Sequence, residues 1–478
     1  ADDELIAGYF GTGRRWLFDF AIEALLHEGK AAEAFDYAER ARARAFLQLI
    51  GNHRLSPGRG GNERLVREAE ALRTRIAEWE RAGSAIPTDL ANARREYRTL
   101  IGRLKTTNLE YASLARVEPL SVEAIRQEIP AGTTVISYFV SVQGLHAWVL
   151  DEKNLVHVAL PGEPAAVQRA ACWAMQFGNG RLRGPKPRTQ RCAVPATAED
   201  VYDLLIRPLR GKIGNARLII IPHGVLHYVP FAALRDRTNG RYLIEDYTFT
   251  LAPSASALRF LRAKETPVTG RALVLGNPDS RMGALPGAQR EAIAVARAFG
   301  TTPLLGPAAA ESLLYGLHGE VDLLHISAHA RYDDAAPTFS RIGLAAGRGH
   351  DGNLEVHEIL ADVDLTGVNL VVLSACETAV GQRSGGDDVV SLTRAILYAG
   401  SPGVISTLWA IDDQAAARLM EEFYRRLLDG LPAADALRAA QLALLHDKTN
   451  NEPKFWAAFT LTGNPSATWK RGAAAGPR

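Results

Sequence analysis

The spacing of hydrophobic positions changes character along this chain. From residue 15 to 50 it is helical: Leu17, Ala21, Leu25 and Leu26 mark one face, Gly29 breaks the run, and Ala34, Tyr37, Ala38, Ala41, Ala45 and Leu49 resume it. The pattern predicts an αα-hairpin turning at Gly29-Lys30, with small alanines that let the two helices approach closely. A pair of this kind cannot cover its own apolar face, so such pairs usually occur in arrays. Gly, Pro and Asn between 51 and 62 predict a loop. Residues 63–82 and 88–113 read as two charged helices parted by Pro87. Their Arg and Glu are so interspersed that a solvated hairpin accounts for them better than a nucleic-acid surface.

Beyond Pro119 the period shortens. Thr133–Val140 and Leu145–Leu150 are β-rich runs on either side of Gln143-Gly144, a hairpin turn signal, and Leu155–Leu160 is a candidate third strand. A helix is expected over 165–177. Residues 178–197 are rich in Gly, Pro and Arg and read as a surface loop; Arg181, Arg183, Lys186, Arg188 and Arg191 leave a basic docking site as the alternative. A helix from Ala198 leads to the apolar strand Ala216–Pro222 and then to His223-Gly-Val-Leu-His-Tyr-Val-Pro-Phe-Ala-Ala-Leu234.

From Arg271 apolar strands alternate with helices: strands at 272–275, 321–327, 369–375 and 403–408, and helices at 289–299, 389–399 and 414–428. Short continuous apolar strands between helices predict a parallel sheet covered on both faces. Sites in such sheets form beyond the carboxyl ends of the strands. Two strands end on reactive residues there. Asp322–His329 ends on His329, and Asn369–Cys376 ends on Cys376.

That placement carries the candidate chemistry. A free thiol has a pKa of about 8.5, so an adjacent imidazole is needed to hold it as thiolate and to protonate a leaving amine. The backbone N–H groups of Cys376 and Ala330 are candidate donors to an oxyanion. The structural alternative is a buried small hydrophobe at Cys376 and a hydrogen-bonded edge histidine at His329. His325 shares the strand face of His329 but lies mid-strand, which favours a core role.

Composition narrows the classes. A chain of 478 residues allows two to four domains, and 47% hydrophobic with 23% charged residues is ordinary for a soluble globular protein. A formal net charge of +2 gives no global field toward nucleic acid or an anionic membrane. Three cysteines do not make a disulfide framework, so Cys172 and Cys192 are expected as core or surface thiols and the setting as reducing and cytoplasmic. No apolar run reaches a membrane span, and no signal-peptide pattern is present. The chain opens on Ala1-Asp2-Asp3-Glu4 without methionine and is expected to be a piece of something longer. His223 and His227 lack an accompanying ligand cluster, and no cofactor or metal is expected.

Several motifs together carry a resemblance. His325-Ile-Ser-Ala-His329, Val371-Val-Leu-Ser-Ala-Cys-Glu-Thr378, Ser406-Thr-Leu-Trp-Ala-Ile-Asp-Asp413 and Phe455-Trp-Ala-Ala-Phe459 resemble the CHAT domain, as do Pro222–Leu234, Ala252-Pro-Ser-Ala-Ser256 and Glu39-Arg-Ala-Arg-Ala-Arg44. CHAT domains are caspase-like cysteine peptidases related to separases, and they commonly follow tetratricopeptide repeats. The segment Gly29–Arg44 looks like a last repeat of that kind.

The resemblance implies an α/β fold: a caspase-like, mostly parallel sheet flanked by helices at 267–470, preceded by an inactive caspase-like half at 117–266. A repeat-like helical region would occupy 1–116 and a flexible tail 471–478. It implies Cys376 as nucleophile and His329 as general base and acid of a cysteine endopeptidase. The family usually has glycine where this chain has Ala330; the N–H survives, but the methyl narrows the approach to the oxyanion. Glu377 and Trp409 are expected at the substrate cleft. Separases cut after arginine with an acidic residue downstream of this tryptophan, and a gapless comparison puts that residue at Ala417. Asp412 and Asp413 are nearer candidates, with helix capping as their structural alternative, and Asp387 and Asp388 share the ambiguity. A protein substrate is implied, gasdermin-like or another effector in bacterial defence, with a protein regulator docking on the N-terminal helices. The alternative is a catalytically silent scaffold for protein–protein signalling.

Overall fold

The computed structural model describes residues 15–50, 120–177, 196–332, 339–375, 382–383 and 389–469, apart from single positions 163, 265, 267, 281, 318 and 450, together with six isolated positions between 68 and 96. The chain forms two compact units, 1–43 with 120–478, and 44–119. In the second, the described positions Glu68, Leu72, Arg75, Asp89, Asn92 and Glu96 are all helical, and Leu72 is buried.

The first unit begins with the predicted hairpin, α1 (Arg15–His27) and α2 (Ala31–Ile50), with the end of α2 from residue 44 belonging to the second unit. Gly29 turns the corner with φ of 74°, which a residue without Cβ adopts at no steric cost. Then come α3 (Val122–Glu128), β1 (Thr133–Val140), β2 (Leu145–Leu150), β3 (Leu155–Leu160), α4 (Pro164–Met175) and α5 (Ala198–Leu205). Helix α5 stops where Pro208 cannot donate to the next turn, and the chain tightens into a 3-10 turn over Arg207–Lys212. β4 (Arg217–Ile221), β5 (Thr248–Leu251) and α6 (Ala257–Ala263) complete the first half. The second half holds β6 (Ala272–Pro278), α7 (Pro286–Phe299), β7 (Leu304–Gly306), β8 (Leu323–Ser327), α8 (Val356–Asp362) and β9 (Leu370–Ser374). It continues with α9 (Leu392–Tyr398), β10 (Gly403–Thr407), α10 (Asp413–Leu428), α11 (Ala433–Leu445) and β11 (Phe459–Gly463).

Both halves share one sheet. Its order among the described residues is β3-β2-β1-β4-β5-β11-β10-β9-β8-β6-β7. The β1–β2, β2–β3 and β10–β11 pairs are antiparallel; the others are parallel. The halves join where Thr462 of β11 pairs with Leu251 of β5. The central strands β8, β9 and β10 are buried along almost their whole length, as continuous apolar runs require when both faces are covered.

Helices α7 and α10 pack together over the face that carries His325 and Ser327. Gly276 of β6 lets α7 settle on the sheet, because a methyl there would overlap the methyl of Ala292 on α7.

The hairpin docks on the first half through charge, not only apolar contact. Glu39 accepts from the Ser256 N–H at 2.9 Å and from its hydroxyl at 3.0 Å. Arg42 donates to Ser137 Oγ and to the carbonyl of Tyr138 on β1. Both side chains are almost fully buried and lie 3.4 Å from each other. Two of the motifs behind the family resemblance, around Glu39 and around Ser256, therefore touch. Trp148 of β2 adds a bond from its indole N–H to the Ala31 carbonyl.

One expectation is corrected. Cys172, on the inner face of α4, is disulfide-bonded and not a free thiol. Three cysteines still allow one bond, which their number and spacing do not reveal, and its other half lies outside the described residues. Cys192 lies outside the described residues. His223 is held by the Val140 N–H, which donates to Nδ1 at 3.0 Å, and packs its ring on Phe139.

Candidate active site

Strands β8 and β9 are parallel neighbours, and their register pairs Ser327 with Ser374. His329 is the second residue after Ser327, as Cys376 is the second after Ser374. Neighbouring strands lie about 4.8 Å apart, so equal extensions from one aligned pair leave in step at the same end of the sheet. Cys376 and Glu377 lie outside the described residues, as do Asp387 and Asp388. The residue before the cysteine, Ala375, is buried, and its carbonyl accepts from Thr407 Oγ1 of β10.

His329 is half-buried. Burial lowers its pKa below the ordinary imidazole value, while the negative charge of Asp413 acts in the opposite sense. A group held below its usual value is neutral near pH 7, the state a general base requires. The next residue, Ala330, enters a two-residue strand whose partners are Arg341–Gly343. Gly343 N–H donates to the His329 carbonyl at 2.9 Å, spanning the Ala330–Ile342 pair. That pair is of the non-hydrogen-bonded kind, so the Ala330 N–H points away from the neighbouring strand. It is free in direction to serve as an oxyanion donor.

A cavity lies beside this strand end. Ser327 and Ala328 line it from β8, Ser374 and Ala375 from β9, and Trp409 and Asp413 from beyond β10. The two candidate aspartates separate here. Asp412 is the N-cap of α10, accepting from the Gln414 and Ala415 N–H groups at 3.0 and 3.1 Å, so its capping alternative holds. Asp413 instead turns toward the cavity and packs on the first turn of α7, where Gly287 leaves room for it. Trp409 is fully buried; its N–H donates to the Lys454 carbonyl at 3.1 Å and its ring stacks on Phe177 of the first half at 5.0 Å. The first half thus supports a wall of the cavity.

The match to known sequences decides the family. The CHAT domain profile matches residues 195–464, more than half of the chain. The chain belongs to the CHAT domain family. Its curated relatives include tetratricopeptide repeat protein 28 of Mus musculus, 29% identical over a region covering 58% of this chain and 14% of that protein. The human protein of that name is 28% identical, with 58% and 13% covered. This chain therefore spans a small part of the relatives it matches. Among solved structures, the separase–securin complex of Saccharomyces cerevisiae is similar at TM-score 0.52, with 11% identity, 92% of this chain and 34% of that one covered. Gingipain R, an Arg-specific cysteine proteinase, is similar at TM-score 0.38, with 10% identity and 57% and 67% covered.

The CHAT domain carries one further cavity residue that sequence reasoning passed over. Glu291, on the inward face of α7, is 4% exposed and reaches the cavity floor. Its signal was an acid placed in line with the buried Ala288, Ala292 and Val295, where a covered helix face is otherwise apolar. Behind it His325 is completely buried, accepts or donates through Nδ1 with the Tyr424 hydroxyl at 2.9 Å, and presents Nε2 3.1 Å from Glu291 Oε1. His325 is thus a core residue beneath the cavity. Among the described residues no group of three or more His, Cys, Asp or Glu side chains could hold a metal ion, and no helix is long and apolar enough to cross a membrane.

Proposed function

We propose that this CHAT domain is a cysteine endopeptidase in which Cys376 is the nucleophile and His329 the general base and acid. The observation that supports the reading is the Ser327–Ser374 register, which aligns the two adjacent parallel strands that His329 and Cys376 each follow by two residues in the sequence. The Cys376 thiolate attacks the carbonyl carbon of the scissile amide, and a C–S bond forms as the C=O pair moves onto oxygen. The Ala330 N–H, directed away from its neighbouring strand, and the Cys376 N–H stabilise that oxyanion. The C–N bond then breaks as the His329 imidazolium gives its proton to the leaving amine. Water, deprotonated by His329, hydrolyses the thioester and frees the enzyme.

The substrate in this reading is a protein, gasdermin-like or another effector, and a protein regulator docks on the α1–α2 hairpin. The buried attachment of Arg42 to β1 and of Glu39 to Ser256 supports such coupling, because a load on α2 is borne directly by the first half. The test is labelling with peptidyl acyloxymethyl ketone probes, with the labelled residue mapped by mass spectrometry. Labelling at Cys376 that disappears in Cys376→Ala and falls sharply in His329→Ala is expected. Absence of labelling at Cys376, with any required activating partner present, sides with a silent scaffold.

A further inference from the structure

Two carboxylates face the cavity beside His329, and no lysine or arginine lines it among the described residues. Glu291 is nine-tenths buried and more, and its Oε1 makes no hydrogen bond. The 3.1 Å approach of His325 Nε2 is at ion-pair distance but outside hydrogen-bond alignment. Asp413 lies against Gly287, one helical turn before Glu291, and residues four apart on a helix sit about 5–6 Å from each other on the same side. Both acids therefore look into the same space. Burying charge is costly unless a counter-charge with hydrogen bonds answers it. His325 stands behind one oxygen of Glu291 from beneath; on the cavity side nothing cationic is built in.

The rest of the wall fits a long side chain with a charged tip. Trp409 offers an aromatic flank for methylenes or for a stacked guanidinium, and Ser327 and Ser374 line the cavity from the ends of β8 and β9. Resting on the peptidase reading above, we propose that this cavity receives the substrate side chain that immediately precedes the scissile bond. Its occupant is arginine or lysine, with Glu291 as the floor and Asp413 as the wall that pair with the charge. The floor is supplied by α7, and the wall by the first residue of α10 instead of the position near Ala417 that a gapless comparison points to.

Acyloxymethyl ketone probes that differ only at this one residue (Arg, Lys, Leu or Asp) separate the possibilities when their rates of Cys376 labelling are compared on the full chain. The Arg and Lys probes are expected to label at least about tenfold faster than the Leu probe, and the Asp probe slowest. In Glu291→Gln, which keeps the volume, the Arg-to-Leu ratio should fall about 10- to 100-fold, and in Asp413→Asn it should fall as well. Iodoacetamide labelling of Cys376 and thermal unfolding show whether each variant is folded. Equal rates for Arg and Leu probes in the unsubstituted chain, or a ratio unchanged in both folded variants, would overturn the pocket while leaving the peptidase reading intact. Labelling by none of the probes would overturn the peptidase reading and this inference with it.

Discussion

Gly287→Ala tests the packing that aims Asp413 at the cavity. A methyl on Gly287 would lie 2.6 Å from Asp413 Cβ and 2.5 Å from its Cγ, with Oδ2 closer still. Rotating the Asp413 side chain relieves the carboxylate contacts but not the Cβ contact, because Cβ is placed by the backbone. Ordinary contact begins at 3.4 Å, so the first turns of α7 and α10 must part by about 0.8 Å. Overpacking of this kind costs about 1–3 kcal/mol. The same substitution in a helix gains up to about 1 kcal/mol from backbone entropy. The net change is a loss of roughly 0–3 kcal/mol, a range whose lower end does not decide alone. A double-mutant cycle isolates the clash. In an Asp413→Gly background the opposing Cβ is gone, so Gly287→Ala should become stabilising, with a coupling energy of about 1–3 kcal/mol. Urea midpoints followed by circular dichroism measure all four proteins, and the helix cost of the glycine cancels in the cycle. An equal effect of Gly287→Ala in both backgrounds would refute the proposed close approach.

Three further outcomes are expected. Asp413→Asn removes the charge that raises the His329 pKa against burial, so the imidazole pKa should move further down, read from the His329 ring proton shift against pH by NMR; no movement, or a rise, contradicts the pairing. Arg42→Met leaves Glu39 buried without its counter-charge and should cost about 3–5 kcal/mol in denaturant unfolding, with Arg42→Met/Glu39→Gln recovering part of it; a loss below about 1 kcal/mol means the pair is not buried in solution. Ala330→Pro deletes an N–H that the adjoining ladder does not use, so the fold should survive by circular dichroism while kcat drops about 100- to 1000-fold; unchanged kcat rules out Ala330 as an oxyanion donor.

Much of this protein can be read from local pattern. Helical spacing between 15 and 50, the Gln143-Gly144 turn between β-rich runs, and apolar strands alternating with helices after Arg271 each mark an element whose period is a property of the backbone. The positions of His329 and Cys376 at strand ends belong to the same kind of information, since a short apolar run stops where it meets polar residues. Local signals also gave Asp412 its capping role, because an N-cap acts within three residues.

What remained for the tertiary structure concerns residues far apart in the chain. No spacing announces that Ser327 pairs with Ser374, that Glu39 meets Ser256, or that Phe177 of one half stacks on Trp409 of the other. The opposite duties of Asp412 and Asp413 are set by one step of helical rotation and by the missing methyl on Gly287. Glu291 stands one helical turn from other residues of α7, and only the packing of α7 on the sheet makes it a buried carboxyl beside His325 at the cavity. The physical reason is common to all of these: propensity and capping act over one or two turns of chain, whereas burial, register and charge pairing depend on which surfaces meet, and that is decided by the fold as a whole.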